Sequence, residues 1–148
     1  MKSIIALLIL TLTVWTVSSV GQTQMSEDDP QWRQQTVRRA FDEVSAGMYY
    51  SWTEKWLARL GDSAAPEIMN LLATKNPSKK DAQTALSLVK MSFAYPRLIT
   101  HNQNRTPTNA LVLLDYLDKH TSDANIKSTI NSMRKQLHVS QSGTGPKG

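Results

Sequence analysis

Apolar residues return every third or fourth position across residues 30–139 of this chain, the period of a helix with one face turned to a core. Asp29-Pro30 reads as an N-cap and first helical residue, and Val37, Phe41, Val44 and Met48 follow at helical spacing. Arg33, Arg38, Arg39, Asp42 and Glu43 take the other faces of that segment. Gly47 is read either as a terminator or as a weak point. Ser51-Trp52-Thr53-Glu54 matches a capping box, and from it Trp52, Trp56 and Leu60 fall on one stripe, with Leu57 beside it. Gly61 stands where a left-handed residue after a helix is wanted. Pro66 is expected to open the next helix, with Ile68, Met69, Leu71 and Leu72 inward.

The second half repeats the grammar. Ser78-Lys79-Lys80-Asp81 is another capping signature, followed by Ala82, Ala85, Leu86, Val89 and Phe93. Pro96 ends or kinks that helix, because it disfavours helical geometry at Tyr95. A polar loop follows, and Thr106-Pro107 restarts a helix through Ala110, Leu111, Leu114 and Leu117. Lys119 and His120 lie at its end, favourably for the helix dipole. The last helix is expected from about Asp123, with Ile126, Ile130, Met133 and Leu137 inward. Residues 22–29 and 140–148 show no apolar period and read as a disordered lead-in and tail. No strand pattern appears, so the expected class is all-α, with one helical domain over residues 30–139.

The stretch 51–73 reads as helix, Gly-Asp turn and second helix, a hairpin that needs neighbours to cover its apolar stripes. Pro66, Ile68-Met69 and Leu71-Leu72 find an echo in Pro107, Asn109-Ala110 and Val112-Leu113, a spacing within the roughly 40–47 residues of two-helix repeats. The run Trp56-Leu57-Ala58-Arg59-Leu60-Gly61-Asp62-Ser63-Ala64-Ala65-Pro66, with Ile68 and Leu71-Leu72, resembles a HEAT-type repeat. The resemblance implies a short right-handed α-solenoid of five or six helices and the role of a binding scaffold. That family has no shared catalytic residues to carry over. Two tryptophans stand here where the family usually has aliphatics, and a second Gly-Asp turn is lacking.

Composition then places the chain. Lys2, an apolar run over residues 4–17 and the small residues Ser18, Ser19 and Gly21 form a secretory signal pattern, with cleavage expected before Gln22. The run is short for a membrane span of roughly 20 residues. The 148 residues contain no cysteine, which excludes a lipoprotein lipobox, disulfides, thiolate catalysis and Cys-ligated metal. An exported, cysteine-free domain fits a periplasmic or secreted bacterial setting. The formal net charge of +5 loses one unit with Lys2, and the basic residues come in pairs, not in the dense stripe of a nucleic-acid binder.

Motifs for chemistry are scarce. The three histidines, His101, His120 and His138, have no metal-type spacing, and no Gly-x-Ser-x-Gly elbow or phosphate loop occurs. Asp115 and Asp118, one helical step apart, read as a solvated face. Asn104-Arg105-Thr106 is formally a glycosylation sequon, followed directly by Pro107. The chain is therefore read as no enzyme, with no cofactor and no metal. Trp32, Phe41, Tyr49, Tyr50, Trp52 and Trp56 crowd into residues 32–56, which reads first as the core of an N-terminal cap that closes the open end of the array and otherwise as a surface anchor. Burial is expected for Trp52 and Trp56. Trp32 and Tyr50, with Arg33, Arg38 and Arg39, are the candidate partner-binding residues, since such side chains dominate interface hot spots. The leading function is an exported non-catalytic module binding a protein or peptide, with a homodimer left open. The alternative is a basic peripheral envelope protein on anionic lipid or cell-wall polymer, held through Arg33, Arg38, Arg39, Lys55, Arg59, Lys79 and Lys80.

Overall fold

The computed structural model describes residues 26–74 and 76–142, with side chains through 139. The expected signal peptide, residues 22–25 of the expected lead-in and most of the expected tail lie outside the described residues, whereas residues 26–29 of the lead-in are held against the domain through Glu27 and Asp29. Those described form six α-helices and no strand: α1 (Pro30–Ser45), α2 (Ser51–Leu60), α3 (Ala64–Ala73), α4 (Lys79–Ser92), α5 (Thr108–His120) and α6 (Ala124–Ser142). Short 3-10 turns cover Gly61–Ser63, Pro96–Leu98 and Asn102–Arg105. No described helix is long and apolar enough to cross a membrane.

Most helix ends follow from local chemistry. The Asp29 carboxylate accepts the Gln31 amide at 2.8 Å, with Pro30 pre-set in the first turn of α1. Gly47, at φ +75°, closes α1 while Met48 N donates to Glu43 O at 2.9 Å, so it is a terminator. Ser78 and Asp81 cap α4 reciprocally, and Asp123 caps α6 by accepting the amides of Asn125 and Ile126. The expected capping box at Ser51 does not form. Tyr50 is the N-cap of α2 and makes no side-chain cap bond. Thr53 and Glu54 are committed elsewhere: the Thr53 hydroxyl donates to Glu43 at 2.8 Å, and Glu54 faces the Tyr49 phenol.

Packing alternates along the chain. α1 lies against α3 and α3 against α5, while α2 lies against α4 and α4 against α6. Odd and even helices thus form two rows, with α1 also resting on α4 and α5 on α6. α2 and α3, expected as a hairpin, touch little directly; the turn between them carries the chain from one row to the other. α4 sits centrally and buries Thr84, Leu88, Met91 and Ser92 besides the expected Ala82, Ala85, Leu86 and Val89. Its alanines allow close approach, and the Ser92 hydroxyl is satisfied by Leu88 O at 2.9 Å. Val37, Phe41, Leu57, Leu60, Ile68, Leu72, Ala110, Leu114, Leu117, Ile126, Ile130, Met133 and Leu137 join the same core.

The Gly61-Asp62 turn ties the halves together. Gly61 has φ 55° and ψ −130°, a conformation for which only glycine is suited. A Cβ there would stand 2.5 Å from Asn104 O and 3.0 Å from Ile99 Cγ2. This close approach brings the 96–105 segment onto the end of α2, where Thr100 donates through both its amide and hydroxyl to Arg59 O. Pro107, the N-cap of α5, has no side-chain acceptor. Buried Asp62 supplies one from the other turn, accepting the amides of Asn109 at 2.9 Å and Ala110 at 2.8 Å. Burial pushes the Asp62 carboxyl above its ordinary value, against the opposing pull of those two amides.

A candidate aromatic and cationic face

α2 carries two distinct faces. Thr53, Leu57 and Leu60, with Ala58, are its buried residues. Trp52, Lys55, Trp56 and Arg59 follow the i, i+3, i+4, i+7 spacing of a second face, about 100° round the helix from Thr53 and Leu57. The expected burial of Trp52 and Trp56 is therefore not realised, and both rings are half-buried. The core stripe is already filled by smaller side chains that fit against α4.

Two ordered rows hold this face. In one, Glu27 pairs with Arg59, whose guanidinium lies 4.9 Å from the Trp56 ring centre, and Trp56 meets Trp32 edge to face at 5.1 Å and 71°. In the other, Thr53 donates to Glu43, Glu43 pairs with Arg39 at 3.0 Å, and Arg39 lies 4.3 Å over Trp52. Stacked guanidiniums are worth about 0.5–1 kcal/mol each at exposed sites, and they keep donors free at the ring edge. Three adjoining hollows share Trp56. The largest, about 760 Å³, runs between α2 and the segment 97–100, with Trp52, Lys55, Trp56 and Arg59 on one wall and Arg97 and Leu98 on the other.

Comparison with protein-family models, curated proteins and solved structures found no match. The geometry stands alone.

The structure brings Trp32 and Arg39 into this face and separates the other candidates. Arg33 donates to Asp28 O at 3.2 Å, fixing the approach to α1. Arg38, one residue from Arg39, lines a different hollow of about 480 Å³ with Phe41, Asp42 and Glu67. Tyr50 is 46% exposed and its hydroxyl contacts Met48 Sδ at 3.6 Å, in the link between α1 and α2. Lys55, Arg59 and Arg97 complete the site, and of these only Arg97 carries no signal in the sequence. Its distance from the tryptophans along the chain hides it, whereas the Trp-x-x-Lys-Trp-x-x-Arg spacing is readable.

Elsewhere, polar groups serve structure. Asp115 and Asp118 accept from Arg134 at 2.6 and 3.2 Å, joining α5 to α6. Burial pulls the Arg134 guanidinium down, but the two carboxylates raise it further, leaving it above its ordinary value. His120 bonds Tyr116 O at 2.8 Å and stacks on the Tyr116 ring, and His101 pairs with Asp28 at 3.0 Å. Among the described residues, no three His, Cys, Asp or Glu side chains group as metal ligands.

Proposed function

We propose that this chain is an exported, non-catalytic helical module that binds a protein or peptide partner. One observation carries the reading: Trp32, Trp52 and Trp56 remain half-exposed beside guanidiniums already held in place by Glu43 and Glu27. Trp and Arg are the residues that dominate hot spots, and ordering them before contact lowers the cost of binding. The two rows of alternating helices support a short right-handed α-solenoid of the HEAT kind as the scaffold. Ion pairing of Asp115 and Asp118 with Arg134 favours a structural role for them over acid–base work. The envelope alternative draws less support, since several of its cations are engaged or set apart from the Lys55 and Arg59 face: Arg38 shares a hollow with Glu67, Arg39 is paired with Glu43, and Lys79 with Asp123 at 2.7 Å.

The test is affinity capture from the exported fraction of the source cells, with the intact chain, Trp56→Ala and Arg38→Ala as baits. A partner retained at moderate salt by the wild type and Arg38→Ala, and absent with Trp56→Ala, is the expected result. Material that all three retain at low salt and release at moderate salt would instead favour the electrostatic alternative.

A further inference from the structure

We propose that the groove between α2 and the 97–100 segment takes an acidic peptide segment that also carries an apolar side chain. The inference rests on the binding-module reading and adds the class of partner. Lys55, Arg59 and Arg97 converge on the groove walls, and among the described residues no Asp or Glu lines it. Among the described residues Lys55 and Arg97 make no ion pair, and both are exposed. Trp52, Trp56 and Leu98 supply an apolar surface between these charges. The hollow, about 760 Å³, lies within the range of roughly 300–1,000 Å³ typical of ligand pockets.

The chain itself shows what this region accepts. Glu27 is seated on Arg59 and Asp28 on His101, in the hollow that adjoins the groove at Trp56, Arg59 and Thr100. Arg33 grips the Asp28 carbonyl as well. An acidic stretch of the chain therefore already occupies one end, and Lys55 and Arg97 lie farther along. A partner strand continuing from Glu27 would meet cations at intervals and tryptophan between them. Membrane attachment would need its cations on an outward face, whereas these line a concavity.

The probes are a fluorescein-labelled Glu-Asp-Leu-Glu-Asp-Leu peptide and its amide counterpart Gln-Asn-Leu-Gln-Asn-Leu, titrated by anisotropy against the intact chain at moderate salt. The acidic peptide is expected to bind at least about tenfold more tightly than the amide one, the scale expected when one charge-assisted hydrogen bond is removed. The exposed double change Lys55→Glu/Arg97→Glu is expected to abolish the preference, with Arg38→Glu leaving it intact and circular dichroism confirming the fold of each. Equal affinity for the two peptides, or equal weakening in Arg38→Glu, overturns the proposal. So does binding to phosphatidylglycerol vesicles that depends on Lys55 and Arg97 while the acidic peptide does not bind. A captured partner that needs Trp56 but ignores Lys55→Glu/Arg97→Glu would sink this inference and leave the module reading standing. Absence of any Trp56-dependent partner would sink the module reading itself.

Discussion

Replacing Asp62 by alanine removes the acceptor for two amides at the start of a helix nearly fifty residues away. Asn109 N and Ala110 N lie 2.9 and 2.8 Å from its two oxygens, and Pro107 cannot substitute as a cap. Loss of an N-cap acceptor costs about 0.5–2 kcal/mol. Ala110 is fully buried, so its amide gains no water in exchange, and an unsatisfied buried donor costs about 1–3 kcal/mol. Part of this is returned, because burying the Asp62 carboxyl is itself unfavourable and raises its pKa. A net loss of about 2–3 kcal/mol follows from these two terms. For a domain of this size it corresponds to a fall of roughly 8–12 °C in Tm. Asp62→Asn keeps one acceptor oxygen and is expected to lose about half as much. Thermal unfolding followed by circular dichroism gives the magnitude, and hydrogen exchange at Asn109 and Ala110 gives the location. A Tm for Asp62→Ala within about 2 °C of wild type, a shift worth well under 1 kcal/mol, would refute the cross-chain cap.

Gly61→Ala is expected to cost about 3 kcal/mol or more, from backbone strain and from a Cβ 2.5 Å from Asn104 O, read as a collapse of the urea midpoint. A change below about 1 kcal/mol would show that the turn relaxes freely. Asp123 titrates below its ordinary value of 3.8, held by its hydrogen bond to Lys79 and by the Ile126 amide. The unfolded chain then binds the proton more tightly, so this contribution is present above pH 3.8 and is lost as the pH falls through the lower folded value. Asp123→Asn should therefore flatten the acid limb of the Tm against pH curve, and an unchanged limb would count against the assignment. Tyr50→Ala should alter stability by less than about 0.5 kcal/mol, as for an exposed side chain. Trp32→Ala should cost at least about 0.5–1.5 kcal/mol, the worth of its edge-to-face pair with Trp56, besides its partial burial against the core, and equal melting temperatures for the two variants would contradict that difference.

The helices are legible because their signals are local. Asp29-Pro30 and Ser78 to Asp81 act within one turn, and the apolar periods of α4, α5 and α6 predict buried residues that the structure places in the core. What escapes the sequence depends on contacts between distant parts of the chain. Asp62 caps α5 from the other turn, and the same packing draws the 97–100 segment alongside α2 to build the groove wall. The stripe of α2 read from the sequence is one position off. It gives large aromatic rings precedence over Thr53 and Leu57, although the neighbouring Lys55 and Arg59 mark the tryptophan face as the wetter one. At Ser51, the capping pattern fails because Tyr50 takes the N-cap position and Glu54 turns to the Tyr49 phenol. Arg38 and Arg39 are adjacent in sequence, and helical rotation sends them to different hollows.

Site-specific photocrosslinking tests the proposed binding face most directly. A benzophenone side chain placed at exposed Lys55, and separately at Val112 on α5, leaves the core untouched. Irradiated with the exported fraction of the source cells at moderate salt, the Lys55 position should give a discrete adduct of the chain with one partner, and the Val112 position none. An adduct confined to Val112, or equal adducts from both positions, would contradict a binding surface built on Trp32, Trp52 and Trp56.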